Sequence, residues 1–213
     1  MMHTHRLYRW AALAGAALLL LAGLAVRPAA AQDAARQEIR QMLDQRDRDL
    51  KQAIKPLLND AKAATAAQRQ RVEDLVNGVI SFEEMARQAL GPFWKDLTPA
   101  QRQEFVAVFT DIVRAQSLAD LEIYNAKVTY ETITVVEDSA YVRTTTVYQD
   151  KPAKVEYYLG RHDGAWYVHN LVLDDVGTVE GYARSFQGVV RKRGFEALMT
   201  SLRKKQAKLQ ATS

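Results

Sequence analysis

The chain contains no cysteine, which excludes a disulfide framework, a thiolate nucleophile and any cysteine-ligated metal. Histidine is scarce: two of the four lie within the first five residues, leaving His162 and His169. Neither has a second histidine or carboxylate at a metal-ligand spacing, so no metal is expected. The P-loop, G-x-G-x-x-G and G-x-S-x-G signatures are missing. The one S-x-x-K match, Ser201 to Lys204, sits in a lysine-rich tail where so short a pattern arises by chance. Asp174 and Asp175 are adjacent, so in a strand they would point to opposite faces and could not form a carboxylate pair. No internal repeat or low-complexity linker divides the chain. No cofactor is expected, and the enzymatic reading that remains would use His169 as a general base.

What is present begins with a leader. Arg6 and Arg9 precede an apolar run of 16 residues (11–26), followed by Arg27-Pro28-Ala29-Ala30-Ala31-Gln32. This is the layout of a secretory signal peptide, with Ala29 and Ala31 supplying the small residues of a cleavage site after Ala31. The run falls short of the roughly 20 residues a spanning helix needs. The absence of cysteine after it excludes a lipoprotein anchor. Three arginines leave with residues 1–31, so the 29 basic residues fall to 26 against 25 acidic ones. A near-neutral exported protein is a poor nucleic-acid binder. Gln32 to Ser213 has the length of one domain, enough to bury roughly 70% of the unfolded surface and still enclose a cavity.

From Asp33 to about Ala64, Ile39, Met42, Leu43, Leu50, Ile54, Leu57 and Leu58 recur at three- and four-residue spacing. This predicts an amphipathic helix, bent or broken near Pro56. Thr65 with Gln68, and Ser81 with Glu84, each match a capping box that opens a helix. Gly91-Pro92 ends the second. Thr98-Pro99-x-Gln101 opens a longer helix with an apolar face of Phe105, Val108, Phe109, Ile112 and Val113. After Asn125 the period changes to two, and Val128–Val136, Ala140–Tyr148, Ala153–Leu159 and Trp166–Leu173 read as four strands of an antiparallel meander, with a tight turn at His162-Asp163-Gly164. In the third strand Val155, Tyr157 and Leu159 should look inward, with Lys154 and Glu156 on the opposite, polar face. From Thr178 the helical period returns through Tyr182, Phe186, Val189 and Val190, then Gly194, Phe195, Leu198, Met199 and Leu202. Helices, strands, then helices define an α+β fold. The closing segment is strongly basic, a solvated helix face or a surface for anionic head groups or an acidic protein.

Phe82-Glu83-Glu84-Met85-Ala86-Arg87-Gln88-Ala89-Leu90-Gly91, Trp94, and Leu97-Thr98-Pro99-Ala100-Gln101-Arg102-Gln103-Glu104-Phe105 resemble the Mla-pathway periplasmic phospholipid-binding protein (MlaC) family, the toluene-tolerance auxiliary family of ABC transporters. Val142–Val147, Val155-Glu156-Tyr157, Gly164-Ala165-Trp166, and Tyr182 with Phe186 follow in order. Here the family's tyrosine-arginine pair reads Tyr182-Ala183-Arg184. The resemblance implies a curved four-stranded sheet and flanking helices enclosing an apolar lipid pocket, with Val142, Thr144, Val155, Tyr157, Phe186 and Phe109 as its expected lining. It implies a monomeric periplasmic carrier of phospholipid, docking on an outer-membrane lipoprotein complex and an inner-membrane ABC transporter. A hopanoid is the alternative cargo.

Overall fold

The computed structural model describes residues 29–211 except 61, 119, 120 and 149; the expected leader lies outside these, apart from its last three residues. Helix α1 (Ala29–Asn59) tolerates Pro56 because only three residues follow before it stops. Helix α2 (Ala66–Asn77) opens on the Thr65–Gln68 capping box. Helix α3 (Phe82–Leu90) ends at Gly91, whose φ of 55° suits a residue without a side chain. Helix α4 (Pro99–Ser117) opens on the Thr98–Gln101 box, with all five expected apolar residues buried. No helix of the described residues is long and apolar enough to cross a membrane.

One expected cap does not form. Ser81 makes no side-chain cap bond, because its amide donates to the Val168 carbonyl at 2.8 Å and Glu84 is drawn to Arg87 and Gln88 instead.

The sheet comprises β1 (Lys127–Val136), β2 (Ser139–Tyr148), β3 (Lys151–His162), β4 (Ala165–Leu173) and β5 (Val176–Gly177), antiparallel and in chain order. The sequence predicts the first four. The two-residue β5 is additional, formed where Asp174 and Asp175, both with positive φ, fold the chain back onto Val172 and Leu173. These two aspartates therefore occupy a tight turn, not a strand. Asp163 and Gly164, at φ 49° and 79°, make the expected β3–β4 turn. Bulges shift the register near Glu131 and His169 and curve the sheet. Helices α5 (Thr178–Arg193) and α6 (Phe195–Gln210) follow, separated at Gly194 with φ 83°. The fold is α+β, with an open sheet.

Three apolar clusters hold these elements. Phe105, Phe109, Phe186, Leu198 and Met199 centre a helical layer of α3 to α6. Ala35 and Ile39, with Met42 and Leu43 beside them, seat the first half of α1 on Val135, Ala140, Val142, Leu159, Trp166 and Val168 of the sheet. Leu50 and Ile54 seat its second half on Val72, Leu75 and Val76 of α2. Between the two seats runs the wholly polar stretch Asp44-Gln45-Arg46-Asp47-Arg48-Asp49. Arg46 reaches the Leu75 carbonyl at 2.5 Å, a cation at the carbonyl end of α2.

Candidate functional site

Strand alternation decides which side chains face α1. Val142 pairs with Tyr157 and Thr144 with Val155, so these four expected lining residues share one face of β2 and β3. The same register adds Tyr130 opposite Thr144, Val128 opposite Thr146 and Leu171 opposite Tyr157. Val142 and Thr144 are buried, whereas Val155, Tyr157, Tyr130, Val128 and Leu171 are half-buried.

The half-buried group divides in a telling way. Tyr130 and Tyr157 touch the edge of the α1–sheet cluster. Val128, Val155 and Leu171 join none of the three clusters. The inward face here carries half-buried side chains that pack into none of the three clusters. Its polar groups are few. Thr144 Oγ1 donates to the Val155 carbonyl at 3.1 Å, and Thr146 Oγ1 is buried without a partner. Burial pushes the Tyr157 phenol up, with Thr144 opposing in part. Burial likewise raises Tyr130, helped by the carboxylate of Asp44. Asp47 bears on both tyrosines, so the polar middle of α1 passes over this part of the sheet.

An open groove of about 440 Å³ lies between α1 and β1, lined by Arg36, Gln37, Arg40, Gln41, Tyr130 and Ile133 among others. The Arg40 guanidinium stacks 3.8 Å above the Tyr130 ring while its Nε donates to Asp44 at 2.8 Å. Tyr130 thus belongs both to this groove and to the inward-facing row.

Phe109 and Phe186 sit elsewhere. Their centroids are 6.1 Å apart, edge to face, in the helical layer, where Phe109 retains no exposed surface. Two of the six expected residues therefore pack a core that does not include the strand row. Their apolar helical spacing predicts burial but cannot say in which of two cores. Tyr130 and Thr146 are the additions. Thr146 follows Thr144 by one alternation, a signal the sequence carries; the approach of α1 to Tyr130 has no local signal.

Glu156, expected on the polar face opposite Val155 and Tyr157, is only 7% exposed. It does lie on the face opposite Tyr157, but its cross-strand neighbours cover it. Tyr141 donates to its carboxylate at 2.5 Å, Arg143 at 3.2 Å, and Lys154 Nζ stands 3.7 Å away. The Tyr141 hydrogen bond first, then the Lys154 charge, hold the carboxyl below its usual range.

His169 stands at the bulge where α3 meets β4. Its Nδ1 lies 3.1 Å from Gln88 Nε2, and burial lowers its pKa. The ring spans a structural seam: Glu84 beside it is engaged by Arg87. Among the described residues, His, Asp and Glu nowhere gather in a group of three that could hold a metal ion.

Comparison with known proteins follows the same lines. The family model described as MlaC protein matches residues 46–204. The intermembrane phospholipid transport system binding protein MlaC of Haemophilus influenzae is 22% identical over 130 residues, 58% of this chain, and the match spans 61% of that relative's length. A phospholipid-binding protein from Ralstonia solanacearum, solved in complex with a phospholipid, superposes with a TM-score of 0.68 at 21% identity, over 83% of this chain and 98% of that one. At that identity the likeness is one of fold.

Proposed function

Because the chain belongs to the MlaC protein family, we propose that it binds a phospholipid in the crevice beneath α1 and carries it between the two membranes of a Gram-negative envelope. The observation that supports this best is the row Val128, Val155 and Leu171, half-buried on the inner face yet part of no packed core. Val142, Thr144, Tyr157 and Tyr130 complete the wall we assign. Thr146 Oγ1, buried without a partner, is the donor we assign to a lipid ester carbonyl, since an unmet buried hydroxyl is costly.

The physics of transfer explains why a wall of this kind suffices. Two acyl chains hold roughly 28 methylenes, and at about 0.8 kcal/mol each their exposure costs on the order of 20 kcal/mol. A carrier lowers that barrier by offering an apolar solvent, which needs aliphatic and aromatic walls and few precise ligands. The structural neighbour's bound phospholipid and the transport role in the Haemophilus relative's name support the same reading. On it, residues 1–31 are removed on export, and residues 32–213 work in the periplasm as a monomeric domain. Its docking partners are an outer-membrane lipoprotein complex and an inner-membrane ABC transporter.

Mass spectrometry of an organic extract of protein purified from the periplasm tests the proposal. Diacyl phospholipid near one to one is expected, with little head-group selection. An extract without lipid, or holding one selected polar metabolite, overturns it, and a hopanoid in its place changes the cargo.

A further inference from the structure

The C-terminal hairpin concentrates the charge of the protein. Between Thr178 and Gln210 the sequence has eight Lys or Arg residues and two acidic residues, Glu180 and Glu196. Set against the 26 basic and 25 acidic residues from Gln32 onward, this leaves 18 basic and 23 acidic residues on the rest. A chain near neutral overall is therefore about six charges positive at one end and five negative elsewhere.

All eight cations are exposed. Helical spacing groups them: Arg184 and Arg191 lie on the side of α5 away from buried Phe186, and Lys204 and Lys208 on the side of α6 away from buried Leu198, Met199 and Leu202. Arg203 is held by Glu104. With a Debye length of about 8 Å at physiological ionic strength, a surface approaching this hairpin feels its cations more than the acidic remainder.

We infer that the α5–α6 hairpin docks the protein directly on an anionic phospholipid surface. The alternative occupant, an acidic protein, is disfavoured by what the hairpin lacks. Protein interfaces draw their affinity from apolar anchors set in pockets. Among the described residues the exposed large apolar side chains are Leu58, Val136, Val147, Tyr158, Leu173 and Val176, none of them in α5 or α6. Diffuse positive charge without an anchor matches a fluid array of head groups, which offers charge but no fixed shape. The inference concerns where the protein stands while lipid is exchanged and is independent of which lipid it carries.

The test is flotation of protein purified from the periplasm, with vesicles of phosphatidylcholine alone or mixed with phosphatidylglycerol. Binding is expected only to the mixed vesicles at low salt and should vanish at about 1 M salt, where the Debye length is about 3 Å. The triple change Lys204→Gln, Lys205→Gln and Lys208→Gln should weaken binding roughly 100-fold, from about 1 kcal/mol for each charge near the surface. Melting temperature and bound lipid should not change. Equal binding to both vesicles, or full binding by the triple variant, overturns the inference. So does absence of vesicle binding by a protein whose lipid delivery still falls in the triple variant; that result assigns the patch to an acidic protein.

Discussion

Val155→Trp separates crevice from core at a single position. Val155 is half-buried, faces the side of the sheet covered by α1, lies in register with Thr144 and Leu173, and packs into none of the three clusters. If packed side chains filled the space before it, an indole would overfill them at about 1 to 3 kcal/mol. For a domain of this size each kcal/mol lowers the melting temperature by about 2 to 4 °C. If acyl chains fill that space, the indole displaces lipid instead. Displacing on the order of four methylenes forfeits about 3 kcal/mol of affinity at about 0.8 kcal/mol each, more than a hundredfold. Tyr158→Trp is the control: it lies in the same strand on the opposite face, 38% exposed. Glu156 would be a poor control, because its hydrogen bonds would be lost as well. Co-purified lipid and melting temperature are measured for both variants. The expected result is lipid loss with near-normal melting for Val155→Trp and no change for Tyr158→Trp. A destabilised Val155→Trp with full lipid content refutes the placement of the crevice.

Ligand that binds only the folded state stabilises it by mass action, so verified lipid-free protein should melt below the loaded form; coincident curves would count against a large binding crevice. Asn170 accepts from the buried Val179 amide at 3.1 Å and donates to Glu180, so Asn170→Ala leaves that amide unmet and should cost about 1 to 3 kcal/mol; a denaturation midpoint equal to the parent's would disprove the latch. Burial holds the His169 pKa below its ordinary value, so as pH falls below about 6.5 the unfolded chain binds the proton first and folding stability declines, levelling off once the folded pKa is passed. The melting temperature should therefore drop further between about pH 7 and pH 5 in the parent than in His169→Gln, and equal drops would show the ring to be unstrained by its seam.

The parts of this architecture that the sequence makes legible are those set by local chemistry. The Thr65 and Thr98 boxes, the inward stripe of α4 and the period-two strands follow from residues within a turn or two of one another. Where distant residues decide, local reading falls short. The Ser81 amide is taken by a carbonyl of β4, and β5 exists only because a turn of two aspartates returns the chain to β4. Glu156 alternates to the outer face as its neighbours require, yet Tyr141 and Arg143 reach across from β2 to cover it. The same limit applies to the candidate site. Alternation brings Val142, Thr144, Val155 and Tyr157 to one face once the register is known. Assigning Phe109 and Phe186 to a wall or a core requires the packing of four helices, which no spacing encodes.

The two separate seats of α1 have a mechanical consequence. A helix seated through Leu43 on the sheet and from Leu50 onward on α2, with only charged and amide side chains from Asp44 to Asp49 between, behaves as a beam resting on two piers. Raising its mid-span exposes little apolar surface, and the contact it gives up is the Arg46 hydrogen bond to the Leu75 carbonyl, whereas unfolding either end exposes a packed cluster. Within the span from Asp44 to Asp49 the tie to α2 is thus polar, while the piers keep the register of α1. On the proposed function, a roof seated in this way lets a long flexible guest pass at the cost of polar contacts, with both apolar seats left in place.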